Sequence, residues 1–288
     1  MKKPNWVSSV VLVVCLAASS LLPAGPRLNT ESDGFRSERP NEGRRAIVVE
    51  LFTSEGCSSC PPADRLLSEL ARTQPIDGAE ILVLGQHVDY WNQLGWRDPF
   101  SSETFTKRQH AYARSYGNHR VYTPQMIVDG IDEFVGGDRS RALGAIRRAA
   151  LDAKATVKLE LSSTTSGAPK GSLQLRVEIS DPPRPTTGEP AEVLLAITQN
   201  AVLTQVTDGE NAGRKLRHDG VVRELWSIGR IVGPLRQPFE ADPLIRLRPE
   251  WGAEPLRVVV FVQEQHSRRV LGAAAIDLPT GRQHGALD

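Results

Sequence analysis

Cysteine is scarce in this chain of 288 residues: three in all, Cys15, Cys57 and Cys60, and none after residue 60. A framework of several disulfides is therefore excluded. Neither charge sign dominates, with 35 basic against 34 acidic residues, so there is no global pull toward nucleic acid or anionic lipid. Long apolar runs are missing too. The strongest, Val10 to Ala18, falls short of the roughly 20 residues that span a bilayer. From residue 154 onward there is no cysteine, no metal-ligand cluster and no nucleophile motif. Chemistry, if the chain performs any, belongs to its first half.

What is present begins with a basic start, Lys2 and Lys3, and a largely apolar stretch from Val7 to Leu22 that carries small residues at 17–20 and at Ala24. This is the pattern of a secretory signal over residues 1–24. The expected protein is exported, periplasmic or secreted, and touches a membrane only if that segment is retained. Cys15 follows Val14, which does not fit the small residue that precedes a lipidated cysteine. Residues 25–45 are polar, rich in Pro, Gly and charge, and aperiodic, and read as a flexible linker.

The chemical signal is the run Thr53-Ser-Glu-Gly-Cys-Ser-Ser-Cys-Pro-Pro62. Cys57 and Cys60 stand at a junction between an apolar strand and an amphipathic helix. A helix N-terminus carries unpaired N–H groups and partial positive charge, which favour a thiolate. The thiolate is the reactive form, and its partner at this spacing can resolve a mixed disulfide. A bridge over so few residues removes little loop entropy, so a purely stabilising role explains the pair poorly.

Ala46 to Phe52 is a β-branched apolar strand. Pro61 and Pro62 suit a helix start, and Ala63, Leu66, Leu67 and Leu70 recur at helical spacing. Ile81 to Gln86 is a second strand, so the opening unit is β–α–β. After an aromatic insertion at 87–100, Ser101 or Ser102 caps a helix that Gly117 ends. Thr123-Pro124 leads into a strand at 125–129. A hairpin strand at 132–135 follows, then a helix carrying Ala142, Ile146 and Ala149.

That order, with Cys-x-x-Cys after the first strand and a proline opening the third, resembles the thioredoxin fold. The wording of residues 50–64, of 87–96 and of Tyr122-Thr-Pro-Gln-Met-Ile-Val-Asp-Gly130 is similar to a family of exported bacterial proteins, thioredoxin-like and carrying a domain of unknown function. The resemblance extends over most of 46–278. It implies a cis Thr123–Pro124 bond lying against the dithiol, with Pro124 as part of the catalytic site. The loop Gly-Cys-Ser-Ser-Cys-Pro departs from that of thioredoxin itself, so no redox potential is carried over. No substrate is implied either.

Around this motif each residue admits two readings. Cys57 is the attacking thiolate, exposed at the loop end, with Cys60 resolving, or the pair is an inert bridge. His87 and Asp89 follow the second strand, on the edge where ligand sites gather. His87 could take a proton during exchange, serve as a third soft ligand, or be a hydrogen-bonded structural histidine. Trp91 and Trp96 wall a peptide groove with Thr123 and Gln125 as substrate contacts, or they plug the insertion onto the sheet. Glu55 could shuttle a proton, although a carboxylate there opposes thiol activation.

Residues 154–278 show alternation at 157–161 and 173–179 and further apolar strands near 193–197, 256–262 and 270–276, parted by Gly/Pro turns. They read as a β-sandwich domain after a thioredoxin-like α/β domain at 46–153, with a loose tail at 279–288. Gly209 to Arg214, with His218 and Asp219, is a polar loop that contacts a ligand or the first domain, or else a plain turn-rich connector, which is the reading preferred here. The expected function is exchange with cysteine-containing exported proteins and a recycling redox partner. No dissociable cofactor is required, because electrons pass through sulfur. The alternatives are a copper(I) or other soft-metal carrier using Cys57, Cys60 and His87, and a structural envelope module with a static disulfide.

Overall fold

The computed structural model describes residues 43–118, 120–163, 169, 172–183 and 188–279. The expected signal segment with Cys15, the expected linker up to residue 42 and the expected tail from residue 280 lie outside the described residues.

The first half follows the order read from the pattern. Strand β1 (Arg45–Thr53) is buried from Ile47 onward. Helix α1 (Pro61–Thr73) then crosses to β2 (Ala79–His87), which pairs with β1 in parallel from Arg45↔Ala79 to Thr53↔His87. Ser102 caps α2 (Glu103–Ser115), its hydroxyl accepting from the Thr104 N–H. β3 (Gln125–Val128) and β4 (Asp132–Val135) form the hairpin, β3 lying antiparallel to β1. Asp138 caps α3 (Arg139–Ala149). Leu66, Leu67 and Leu70 of α1 and Ile146 of α3 share a core with Ile47, Val49 and Leu51 of β1. Each such side chain contributes about 1.5–3 kcal/mol by leaving water.

In the second half, β5 (Thr156–Ser163), β6 (Ser172–Ser180), β11 (Phe239–Ala241) and β12 (Leu244–Arg246) make a four-stranded sheet. The other long strands do not form a sheet of their own. β7 (Ala191–Gln199), β10 (Val221–Ile231), β13 (Leu256–Glu264) and β14 (Val270–Asp277) continue the first sheet, in the order β14-β13-β7-β10-β2-β1-β3-β4. The expected boundary between residues 153 and 154 is thus not a boundary of the sheet. The result is a mixed α/β architecture with one eight-stranded sheet and, among the described residues, three α-helices.

The joint is the parallel contact of β10 with β2, where Val221 faces Gly85 and the Gly85 N–H donates to the Gly220 carbonyl. The four-stranded sheet covers β7 and β13 through Val177, Ile179, Val193, Leu195, Val258 and Val260. Trp251 is buried in this core, and Trp226 packs partly against it. No helix among the described residues is long and apolar enough to cross a membrane.

A separate hairpin, β8 (Val202–Gln205) and β9 (Lys215–His218), belongs to neither large sheet. Its tip positions the site described next.

Candidate functional site

Between β1 and α1 the chain makes two consecutive turns, the Cys57 N–H donating to the Ser54 carbonyl and the Cys60 N–H to the Cys57 carbonyl. Cys60 is the N-cap of α1, and its carbonyl accepts from the N–H groups of Ala63 and Asp64. Pro61 and Pro62 bring no N–H, so this helix start offers fewer free donors than its sequence position suggested. Cys57 and Cys60 form a disulfide with Cα atoms 5.4 Å apart. Both residues are fully buried, whereas Ser58 and Ser59 between them are exposed. The exposed Cys57 expected at the loop end is therefore under cover.

The Thr123–Pro124 bond is cis, as the resemblance implied. The Thr123 hydroxyl donates to Cys57 Sγ at 3.4 Å and accepts from the Trp91 indole N–H at 2.8 Å. Trp91, Thr123 and Cys57 are thus brought together, while Trp91 also packs on the cluster of Phe52, Val88, Tyr112 and Ile127. Gln125 is buried and engaged on both sides, its amide donating to Glu133 and its oxygen accepting from Gln109. Asp89 accepts from the Thr106 hydroxyl and ties the insertion to α2.

His87 lies beneath the loop with its Nδ1 2.6 Å from Asp98, whose same carboxylate oxygen accepts from the Glu55 N–H. Burial alone would depress this imidazole, but the Asp98 carboxylate, with Asp64 and Glu55 near, holds it above 6.5. Asp98 is kept below its ordinary value, the His87 charge overcoming the opposite effect of burial. The His218 ring crosses the His87 ring at 4.9 Å, and its Nε2 is 3.2 Å from Glu55. Asp64 accepts from Thr53, and its second carboxylate oxygen has no hydrogen-bond partner among the described residues. Burial raises the Asp64 carboxyl, and the charges of His218 and His87 offset only part of that.

No group of three or more His, Cys, Asp or Glu among the described residues is arranged to hold a metal ion. The soft-metal alternative built on Cys57, Cys60 and His87 therefore draws no support from this geometry.

The largest departure from the sequence reading is residues 206–214, the tip of the β8–β9 hairpin. It is no mere connector. The Asn211 amide, fully buried, donates to the Glu55 carbonyl at 2.7 Å and the Cys57 carbonyl at 3.0 Å. The Glu210 carboxylate accepts from the Ser58 N–H at 3.0 Å, and hydrogen bonding from the Ser58 side chain and then its N–H holds the carboxyl below its ordinary value. Asp64 and Asp98 escaped the sequence reading as site residues, and Glu210, Asn211 and His218 entered it only as members of a polar loop read by preference as a connector. Gly209-Glu-Asn-Ala-Gly-Arg214 was the one visible signal, a polar turn too dense in special residues for a simple link.

The family described as "Protein of unknown function (DUF1223)" matches residues 48–263. No curated protein matches. Among solved structures, a crystal structure of a protein from Agrobacterium tumefaciens is similar at 27% identity and a TM-score of 0.56, over 81% of this chain and 94% of that one. HBP35 of Porphyromonas gingivalis is similar in fold, with 15% identity and a TM-score of 0.55, over 82% of this chain and 76% of its own.

Proposed function

Since the chain belongs to the DUF1223 family, whose members are described as of unknown function, its chemistry has to rest on its own residues, and we propose that it is an exported, thioredoxin-like thiol–disulfide oxidoreductase working through Cys57 and Cys60. One observation carries the reading. The disulfide closes the junction of β1 and α1, and the hydroxyl preceding Pro124 reaches Cys57 Sγ at 3.4 Å. The element order β–α–β–α–β–β–α supports it, being the order on which the thioredoxin resemblance rests.

Exchange runs through sulfur alone. A substrate thiolate attacks Cys57 Sγ, the Cys57–Cys60 bond breaks, and Cys60 leaves as a thiolate that takes up a proton. A second substrate thiolate then attacks the substrate sulfur of the mixed disulfide and releases Cys57. The substrate loses two electrons and the cysteine pair gains them. In the reverse direction Cys57 attacks and Cys60 resolves. The partners are cysteine-containing exported proteins and a redox protein that resets the pair.

A second reading, a structural module with a static bridge, is favoured by one fact: both cysteines are fully buried. Equilibration with glutathione buffers, followed by counting of free thiols, separates the two. The expected potential lies in the range of known exchange enzymes, roughly −120 to −270 mV. A potential below about −300 mV marks a resistant bridge and sinks the exchange reading.

A further inference from the structure

Cys57 is fully buried, and its backbone is held by a segment about 150 residues away along the chain. The tip of the β8–β9 hairpin is a self-contained loop. Its neck is closed by the Val206 N–H to the Arg214 carbonyl and the Gly213 N–H to the Val206 carbonyl, and the Ala212 N–H bonds to Gly209. Two side chains of this loop bind the backbone of the cysteine loop. Asn211 donates to the carbonyls on both sides of Gly56, and Glu210 accepts from Ser58. At the hairpin's other end, Ala201 donates to Asp219 and Gly220 to Asn200, which anchors the base. The hairpin pairs with no strand of either sheet, so its tip can lift without breaking a sheet ladder.

We propose that this hairpin tip is a latch on the Cys57–Cys60 loop, and that Asn211 determines which thiols reach Cys57. A partner gains access by taking over the backbone groups that Glu210 and Asn211 now satisfy: two carbonyls that want donors and one N–H that wants an acceptor. An extended polypeptide meets that demand and a small thiol does not. The latch therefore favours protein thiols over small ones. In its meaning for substrates the proposal rests on the oxidoreductase reading, but its geometry does not.

The test uses the oxidised full chain with excess dithiothreitol. One thiolate of the reagent attacks Cys57 Sγ and Cys60 leaves as a thiolate that is then protonated. The second reagent thiol closes on the first and releases Cys57. Two electrons pass to the protein, and the reagent becomes its cyclic disulfide. Opening of the bridge is followed by alkylation and mass measurement.

Asn211→Ala is expected to raise the native-state rate about tenfold or more, since two buried hydrogen bonds hold the closed form. Glu210→Ala, at an exposed position, is expected to raise it about two- to threefold. In strong denaturant all variants should react at one rate, because the latch exists only in the folded chain. A folded Asn211→Ala variant that reacts at the wild-type rate overturns the latch. Should circular dichroism show that variant unfolded, Glu210→Ala decides, and an unchanged rate there is equally fatal. The two proposals fail separately. If the bridge resists glutathione while Asn211→Ala still opens faster, the exchange reading falls and the latch stands. If the potential fits an exchange enzyme but the rates do not move, the reverse holds.

Discussion

Glu50, inside the sheet, meets Arg108 of α2 at 2.6 and 2.9 Å and also binds Tyr112 and Gln86. Burial alone would raise the Glu50 carboxyl, yet the Arg108 charge and its hydrogen bonds hold it below its ordinary 4.5. A carboxyl depressed by folding stabilises the protein above that ordinary value and loses its contribution as pH falls below it. Glu50→Gln should therefore flatten the acid side of the stability curve under about pH 4.5, read as urea midpoints across pH. Arg108→Met leaves a buried charge alone and should cost about 3–5 kcal/mol, measured by urea unfolding. His87 has the opposite sign. Its folded pKa lies above 6.5, so its pairing with Asp98 stabilises fully below 6.5 and fades as pH rises through the folded value. Asp98→Asn should lower the His87 titration followed by proton NMR; an unchanged titration would deny Asp98 that role. Among residues, only the cysteines announced their chemistry, because spacing and a strand–helix junction are local facts. Asp98 and His218 look like ordinary polar residues until the fold buries them together.

At the scale of elements, α1, β2, α2 and the β3–β4 hairpin were legible because each carries its own period and its own stop signals. β10 was not. Its register breaks between Val222 and Glu224 and again between Ser227 and Gly229, and each bulge destroys the alternation that marks a strand. The β8–β9 hairpin was missed because its strands are only four residues long. Its tip depends on Gly209, at φ +71°, where a Cβ would lie 3.1 Å from that of Trp96. Gly209→Ala should cost about 1–3 kcal/mol in local strain. It should also raise hydrogen exchange at 206–214 while β13 and β7 stay protected. Equal protection of the tip in both proteins would mean that the close approach to Trp96 does not hold it.

For the molecule as a whole, the decisive contact lies where the ends of the large sheet return on themselves. The Val270 N–H of β14 donates to the Asp129 carbonyl, and the Lys154 ammonium, 2.7 Å from the Asp129 carboxylate, also donates to the Val270 carbonyl. Gly130 sits there at φ +75°, where a Cβ would come within 1.8 Å of the Arg268 carbonyl oxygen. Gly130→Ala should cost about 3 kcal/mol or more, because backbone must yield to backbone. An unfolding midpoint within error of the wild type would show that this contact does not hold the halves together. Such long-range pairing is invisible to pattern reading. The unbroken apolar runs Val193 to Ile197 and Val258 to Val262 say that a strand is buried, never which strand lies beside it. By itself the sequence determined the elements with strong periodicity, the cysteine pair and its place before a helix, since these depend on neighbours within one or two turns of chain. The tertiary structure alone decided that one sheet runs through both halves, that two histidines and three carboxylates are buried together, and that Asn211 lies on the cysteine loop. The reason is physical: burial and register are set by surfaces that meet only after the chain has closed loops of a hundred residues or more, and no local pattern records that meeting.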